Sequence, residues 1–195
     1  MENSETCFET DIGARVRLIR LEKGLTLDDL ARQSGVSRAM ISRIERGEAN
    51  PTAQLLARLC SALGTTLSRF FALQEAPSNP LSRHADQRRW QDPASGYIRR
   101  SVSPEGMPTP VDIVAVDFPP GARVVFDPHP PETEMTQHIW LFEGRMVMTT
   151  EGETHALEPG DCLFMTLGNG HSFHNPYPET ARYAVILNRR TAKTR

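Results

Sequence analysis

With 195 residues, 38% of them hydrophobic, the chain can bury two small cores or one large one, and its three cysteines, without a C-x-x-C pair, argue against a disulfide framework or a zinc ribbon. No apolar run approaches the ~20 residues of a membrane helix, and the opening MENSETCFET is acidic where a secretory signal is basic then apolar, so a cytoplasmic location is expected. The net charge of −2 is unevenly spread: residues 13–46 carry eight Lys or Arg against four acids, whereas 101–187 carry three Arg against twelve acids. Clustered cations at one end suit a polyanionic partner there, because phosphate neutralisation needs local rather than overall basicity.

Residues 1–10 read as a flexible tail and 11–76 as an all-α domain. Ile12, Val16 and Ile19 form one apolar stripe, Leu27, Leu30 and Ala31 a second, Met40, Ile41 and Ile44 a third, and Leu55, Leu56, Leu59 and Leu63 a fourth. Leu67, Phe70 and Phe71 predict a short fifth helix. Thr26-Leu-Asp-Asp29 is a capping-box-like start, Ser37 can cap the next helix, and Gly47 and Gly64 stand where helices end.

Pro77, Pro80 and Pro93, set among Ser, Asn, Asp and Arg, mark 77–96 as a linker. From 97 to 188 the pattern changes to short apolar runs at 111–116, 124–126, 139–142, 162–165 and 183–187, separated by turn residues. Strands so regularly interrupted favour an all-β sandwich or barrel. Met146, Met148, Met165, Phe142, Phe164 and Phe173 are assigned to its core, the three cysteines are read as buried or incidental, and 189–195 as a frayed basic tail.

Residues 25–64, LTLDDLARQSGVSRAMISRIERGEANPTAQLLARLCSALG, resemble the helix-turn-helix of lambda-type repressors and the XRE family of bacterial regulators. The likeness rests on Leu30-Ala31, the Ser34-Gly35-Val36-Ser37 turn, Ile41 and Ile44, and Glu45-Arg46-Gly47 followed by Asn50-Pro51-Thr52. Physics points the same way: Met40, Ile41 and Ile44 can anchor the second helix while Arg38, Ala39, Ser42 and Arg43 face outward, as a major-groove reader requires. By position in the family motif, Arg38, Ala39 and Arg43 are the expected base readers, and Thr26, Gln33, Ser37, Ser42, Arg46 and Asn50 the expected backbone contacts.

Residues 121–187 resemble the cupin double-stranded β-helix barrel. Gly160, Thr166, Gly168, His171 and Asn175 follow the spacing of its second motif, with Thr166 where proline is usual. The first motif is broken. Gly121 and Gly144 are present, but Gln137 stands where a glutamate is usual, and the two histidine positions fall among Pro130, Pro131, Glu132 and Thr133. His129, Glu134, His138 and His171 are of types that bind divalent metals; alternatively, with Gln137, they line a pocket for an organic effector.

Together the two resemblances imply an XRE-cupin regulator: a homodimer on a pseudo-palindromic operator in double-stranded DNA, whose cupin barrel binds a small-molecule effector and supports dimerisation. A metal-dependent cupin enzyme of dioxygenase or isomerase type with a DNA-binding appendage is the alternative, and an antitoxin-like protein-interaction role a second one.

Overall fold

The computed structural model describes residues 3–71, 79–128 and 135–189. The chain divides into two compact units, 1–70 and 71–195.

The first unit is all-α: α1 (Asn3–Glu22), α2 (Leu27–Ser34), α3 (Arg38–Glu45), α4 (Ala53–Ala62) and α5 (Leu67–Phe71). The four apolar stripes converge on one core, in which Val16, Leu30, Ile41, Leu56, Leu59 and Leu63 are fully buried. α1 starts eight residues before the Asp11 where its stripe begins, inside the stretch expected as a tail. That stretch has no apolar period to announce a helix.

Two interactions lock α1 to α3. Gly13 passes so close to α3 that a Cβ on it would lie 2.1 Å from the Ile44 carbonyl oxygen. The buried Arg20 guanidinium donates twice to Glu45, at 2.6 Å and 2.8 Å, and once to the Leu25 carbonyl at 2.9 Å. The hydrogen bonds to Glu45 and its charge hold the Arg20 pKa above the ordinary arginine value despite the opposing effect of burial.

The second unit is built from ten strands: β1 (Arg89–Gln91), β2 (Ile98–Ser101), β3 (Val111–Phe118), β4 (Arg123–Phe126), β5 (Met135–Glu143), β6 (Met146–Thr150), β7 (Glu153–Leu157), β8 (Cys162–Thr166), β9 (His171–His174) and β10 (Ala181–Arg189). Antiparallel pairing joins them into a six-stranded sheet, β1-β2-β3-β10-β5-β8, and a four-stranded sheet, β4-β9-β6-β7. The sheets meet through a column of rings in which Phe173 of β9 stacks on Tyr183 of β10 at 5.8 Å and meets Phe118 of β3 at 6.4 Å. Two facing sheets around an apolar interior are the arrangement expected of the β half.

All five apolar runs named from the sequence fall within strands. β1 lies inside the stretch read as linker: Trp90 is buried there and meets Tyr97 edge-on at 5.9 Å. Met146, Met148, Met165 and Phe173 are core residues as expected, but Phe142 and Phe164 are 45% and 55% exposed. Apolar character alone placed those two inside. Strand alternation, with Leu141 and Met165 pointing inward, turns them outward.

Candidate functional site

α2 and α3 are short helices whose ends are fixed by side chains. Thr26 opens α2 with a full capping box: its hydroxyl accepts from the Asp29 amide at 3.1 Å, and the Asp29 carboxylate accepts from the Thr26 amide at the same distance. The Thr26 hydroxyl also donates to that carboxylate, and these bonds hold Asp29 below the usual carboxylate range. Ser37 opens α3 by accepting from the Met40 amide at 3.3 Å. The Ser34 hydroxyl donates to the Leu30 carbonyl and accepts from the Val36 amide, which sets the turn between the helices.

This frame places the nine residues expected at the DNA. Arg38, Ala39 and Arg43 are exposed on α3, while Ile41 and Ile44 on its opposite side are 0% and 1% exposed. Thr26, Gln33, Ser37, Arg46 and Asn50 are exposed and Ser42 is half-buried. Arg38 pairs with Asp28 of α2 at 3.3 Å. Arg46 forms a two-pronged pair with Glu48, at 2.6 Å and 2.7 Å, and also donates to the Ser42 hydroxyl. The Arg43 guanidinium reaches the Glu48 carbonyl at 3.5 Å. Two arginines and a methyl group thus stand side by side on a helix whose buried residues fix its pose. Arginine can donate in parallel to guanine O6 and N7, and alanine can pack on a thymine methyl. Sequence reasoning missed the pair of Arg20 and Glu45, which holds α3 against α1; Glu45 entered it only as a motif letter.

The β unit separates residues that the sequence had grouped. Gln137 and His171 are buried, at 5% and 7% exposure, and lie on the inward sides of β5 and β9. The Gln137 amide donates to the Met165 sulfur at 3.1 Å, and the His171 ring stacks on Phe126 at 5.3 Å. Thr150, paired with His171 across β6 and β9, adds a buried hydroxyl oxygen without a hydrogen-bond partner among the described residues. His138 does not join them. It follows Gln137 on a strand, so it points to the opposite face, where its ring meets the exposed Phe164 at 5.1 Å. His129 and Glu134 lie outside the described residues.

Among the described residues no group of three His, Cys, Asp or Glu side chains could hold a metal ion. Among the described residues, the inward groups gathered near His171 are its imidazole, the Gln137 carboxamide, the Met165 thioether and the Thr150 hydroxyl. Asn175, singled out by the cupin motif, is fully buried and structural: its amide donates to the Phe118 and Glu179 carbonyls at 3.0 Å and 2.8 Å and accepts from the Tyr177 amide at 3.0 Å. No helix among the described residues is long and apolar enough to cross a membrane.

Comparison with known proteins agrees with both halves. The helix-turn-helix family matches residues 16–70 and the cupin domain family matches residues 114–187. The HTH-type transcriptional regulator SutR of Escherichia coli K12 is 22% identical over 187 residues, covering 96% of this chain and 97% of that protein. The HTH-type transcriptional regulator PuuR of the same strain is 26% identical over 171 residues, covering 84% and 86%. Among solved structures, an HTH_3 family transcriptional regulator from Vibrio cholerae superposes with a TM-score of 0.78 at 23% identity, covering 96% of this chain and all of that one, and so shares the fold.

Proposed function

The chain is a transcriptional regulator that joins a helix-turn-helix domain to a cupin domain, and we propose that it reads a specific operator with α3 under the control of a small molecule held in the cupin interior. Arg38, Ala39 and Arg43 face the base edges of the major groove. Thr26, Gln33, Ser37, Ser42, Arg46 and Asn50 hold the phosphates and set the register. Two copies bind as a homodimer, each placing one α3 in a half-site of a pseudo-palindromic sequence. The effector sits against Gln137, Thr150 and His171 and shifts operator affinity by favouring one dimer geometry.

The observation that carries this reading is the division of α3 into a buried anchoring side, Ile41 and Ile44, and an exposed side with two arginines. The test is selection of duplexes from a random-sequence pool, followed by affinity measurement for wild type, Arg38→Ala and Arg43→Ala. Each substitution is expected to weaken the selected site about 5- to 150-fold, the equivalent of one lost bidentate pair at ~1–3 kcal/mol, with little effect on unrelated duplexes. Equal loss on all duplexes would demote the arginines to phosphate contacts. Failure to enrich any sequence would overturn the reading.

A further inference from the structure

The outer face of the six-stranded sheet breaks the rule that a solvated sheet face is polar. Cross-strand pairing lays its outward residues in rows. One row runs Ile113, Ile186, His138, Phe164 across β3, β10, β5 and β8, and the next runs Ala115, Ala184, Trp140, Cys162. Phe142 extends the second row, its ring 4.9 Å from Trp140. Ile113, Trp140, Phe142 and Phe164 are 37% to 55% exposed. The flanking rows are more polar: Asn188, Thr136 and Thr166, with Val111 at the β3 end, on one side, and on the other Arg182 between Asp117 and Glu143, at 3.3 Å and 2.7 Å.

We propose that this face is where two copies of the chain pack, a reading that rests on the homodimer above and adds its surface and its axis. Four strands at ~4.8 Å spacing and five residues of β5 at ~3.4 Å give the apolar centre a footprint of roughly 300 Å². A stable interface takes ~800 Å² from each partner, so this patch is the dry centre and the surrounding rim completes it. The rim carries opposite charges on its two edges. The Trp140 row continues past Ala115 to Arg100 of β2 and Arg89 of β1. On the β8 side, Glu151 accepts from the Thr166 hydroxyl at 3.1 Å, and the turn that leads into β8 carries the exposed Glu158 and Asp161, the Asp161 carboxylate accepting from the Glu158 amide.

A two-fold axis parallel to the strands between β10 and β5 lays β8 of one copy over β3 of the other. It carries the acidic edge onto the partner's basic edge and leaves apolar rows on apolar rows. An isologous contact demands that self-complementarity. A foreign partner would have no reason to mirror both edges.

Sedimentation velocity without DNA tests this. Wild type is expected to be a dimer, and Trp140→Glu with Phe164→Glu to sediment at half that mass with an unchanged circular-dichroism spectrum. Arg100→Glu and Asp161→Arg alone are each expected to raise the dimer dissociation constant about fivefold, as for a rim ion pair worth up to ~1 kcal/mol, and together to restore it. Maleimide labelling of Cys162 gives a second readout, faster in the double-Glu variant than in wild type. A monomeric wild type, or a dimer that survives both Glu substitutions, overturns the proposal, and additive rather than compensating charge changes overturn the axis. A dimer without sequence-selective DNA binding would sink the operator reading and leave this face standing.

Discussion

Gly13→Ala inverts the usual expectation for a helix-interior glycine. Helical propensity alone favours alanine by ~1 kcal/mol. Here the added methyl would lie 2.1 Å from the Ile44 carbonyl oxygen, where Cβ contacts below 3.0 Å essentially never occur. The neighbour is backbone, so α1 or α3 has to retreat by about 0.9 Å, and overpacking of that kind costs ~1–3 kcal/mol. The net effect is a loss of up to ~2 kcal/mol, which at 4–8 °C per kcal/mol for a domain of this size lowers the melting temperature by up to ~16 °C. Thermal unfolding followed at 222 nm measures it, since among the described residues the α-helices lie in the first unit, apart from the last residue of α5, and the second unit holds only the three-residue 3-10 turn His84–Asp86. A raised melting temperature would show that the α1–α3 contact is looser than described and would refute the argument.

Asn175→Ala leaves the Phe118 and Glu179 carbonyls and the Tyr177 amide without their partner. It is expected to destabilise the β unit by at least ~2 kcal/mol in urea unfolding, and Asn175→Asp, which cannot donate both bonds, is expected not to rescue it. Asp28→Asn releases Arg38 from an exposed pair and removes a like charge from the DNA side, so titration with duplex DNA should show affinity raised up to about fivefold. In alkaline titration, burial raises Tyr97 from the ordinary 10.0 to about 12 and Tyr183 well above that ordinary value. The folded state therefore keeps phenol protons that the unfolded state releases, so their contribution to stability is intact below pH 10 and is lost as pH rises toward 12. Tyrosinate absorbance from two of the three tyrosines should appear together with loss of the β-sheet signal, and its appearance before unfolding would contradict their burial.

The helices were legible because each stripe of the α unit packs on a single core, and their starts because Thr26 and Ser37 act locally, within three residues. Strands β6, β7 and β9 drew no separate assignment. In Met-Val-Met-Thr-Thr and His-Ser-Phe-His, outward Thr, Ser and His dilute the apolar signal, and β2 hides a buried arginine, Arg99, in an Ile-Arg-Arg-Ser string. Residue type identified the exposed side of α3, where exposure follows helical period. It failed for His138, Phe142 and Phe164 because facing depends on strand parity, which one residue of offset reverses.

The residues that hold α3 in place and those it offers to solvent share no side chain. Ile41, Ile44 and Glu45 face inward, and Arg38, Ala39 and Arg43 stand apart from them. Substitution at the latter three therefore leaves the hydrophobic core and the Arg20 clamp untouched, so the exposed side of α3 can be varied without a matching loss of fold stability. In this sense the helix behaves as an interchangeable type slug in a fixed chase, and changing its outer face calls for no compensating changes elsewhere in the unit.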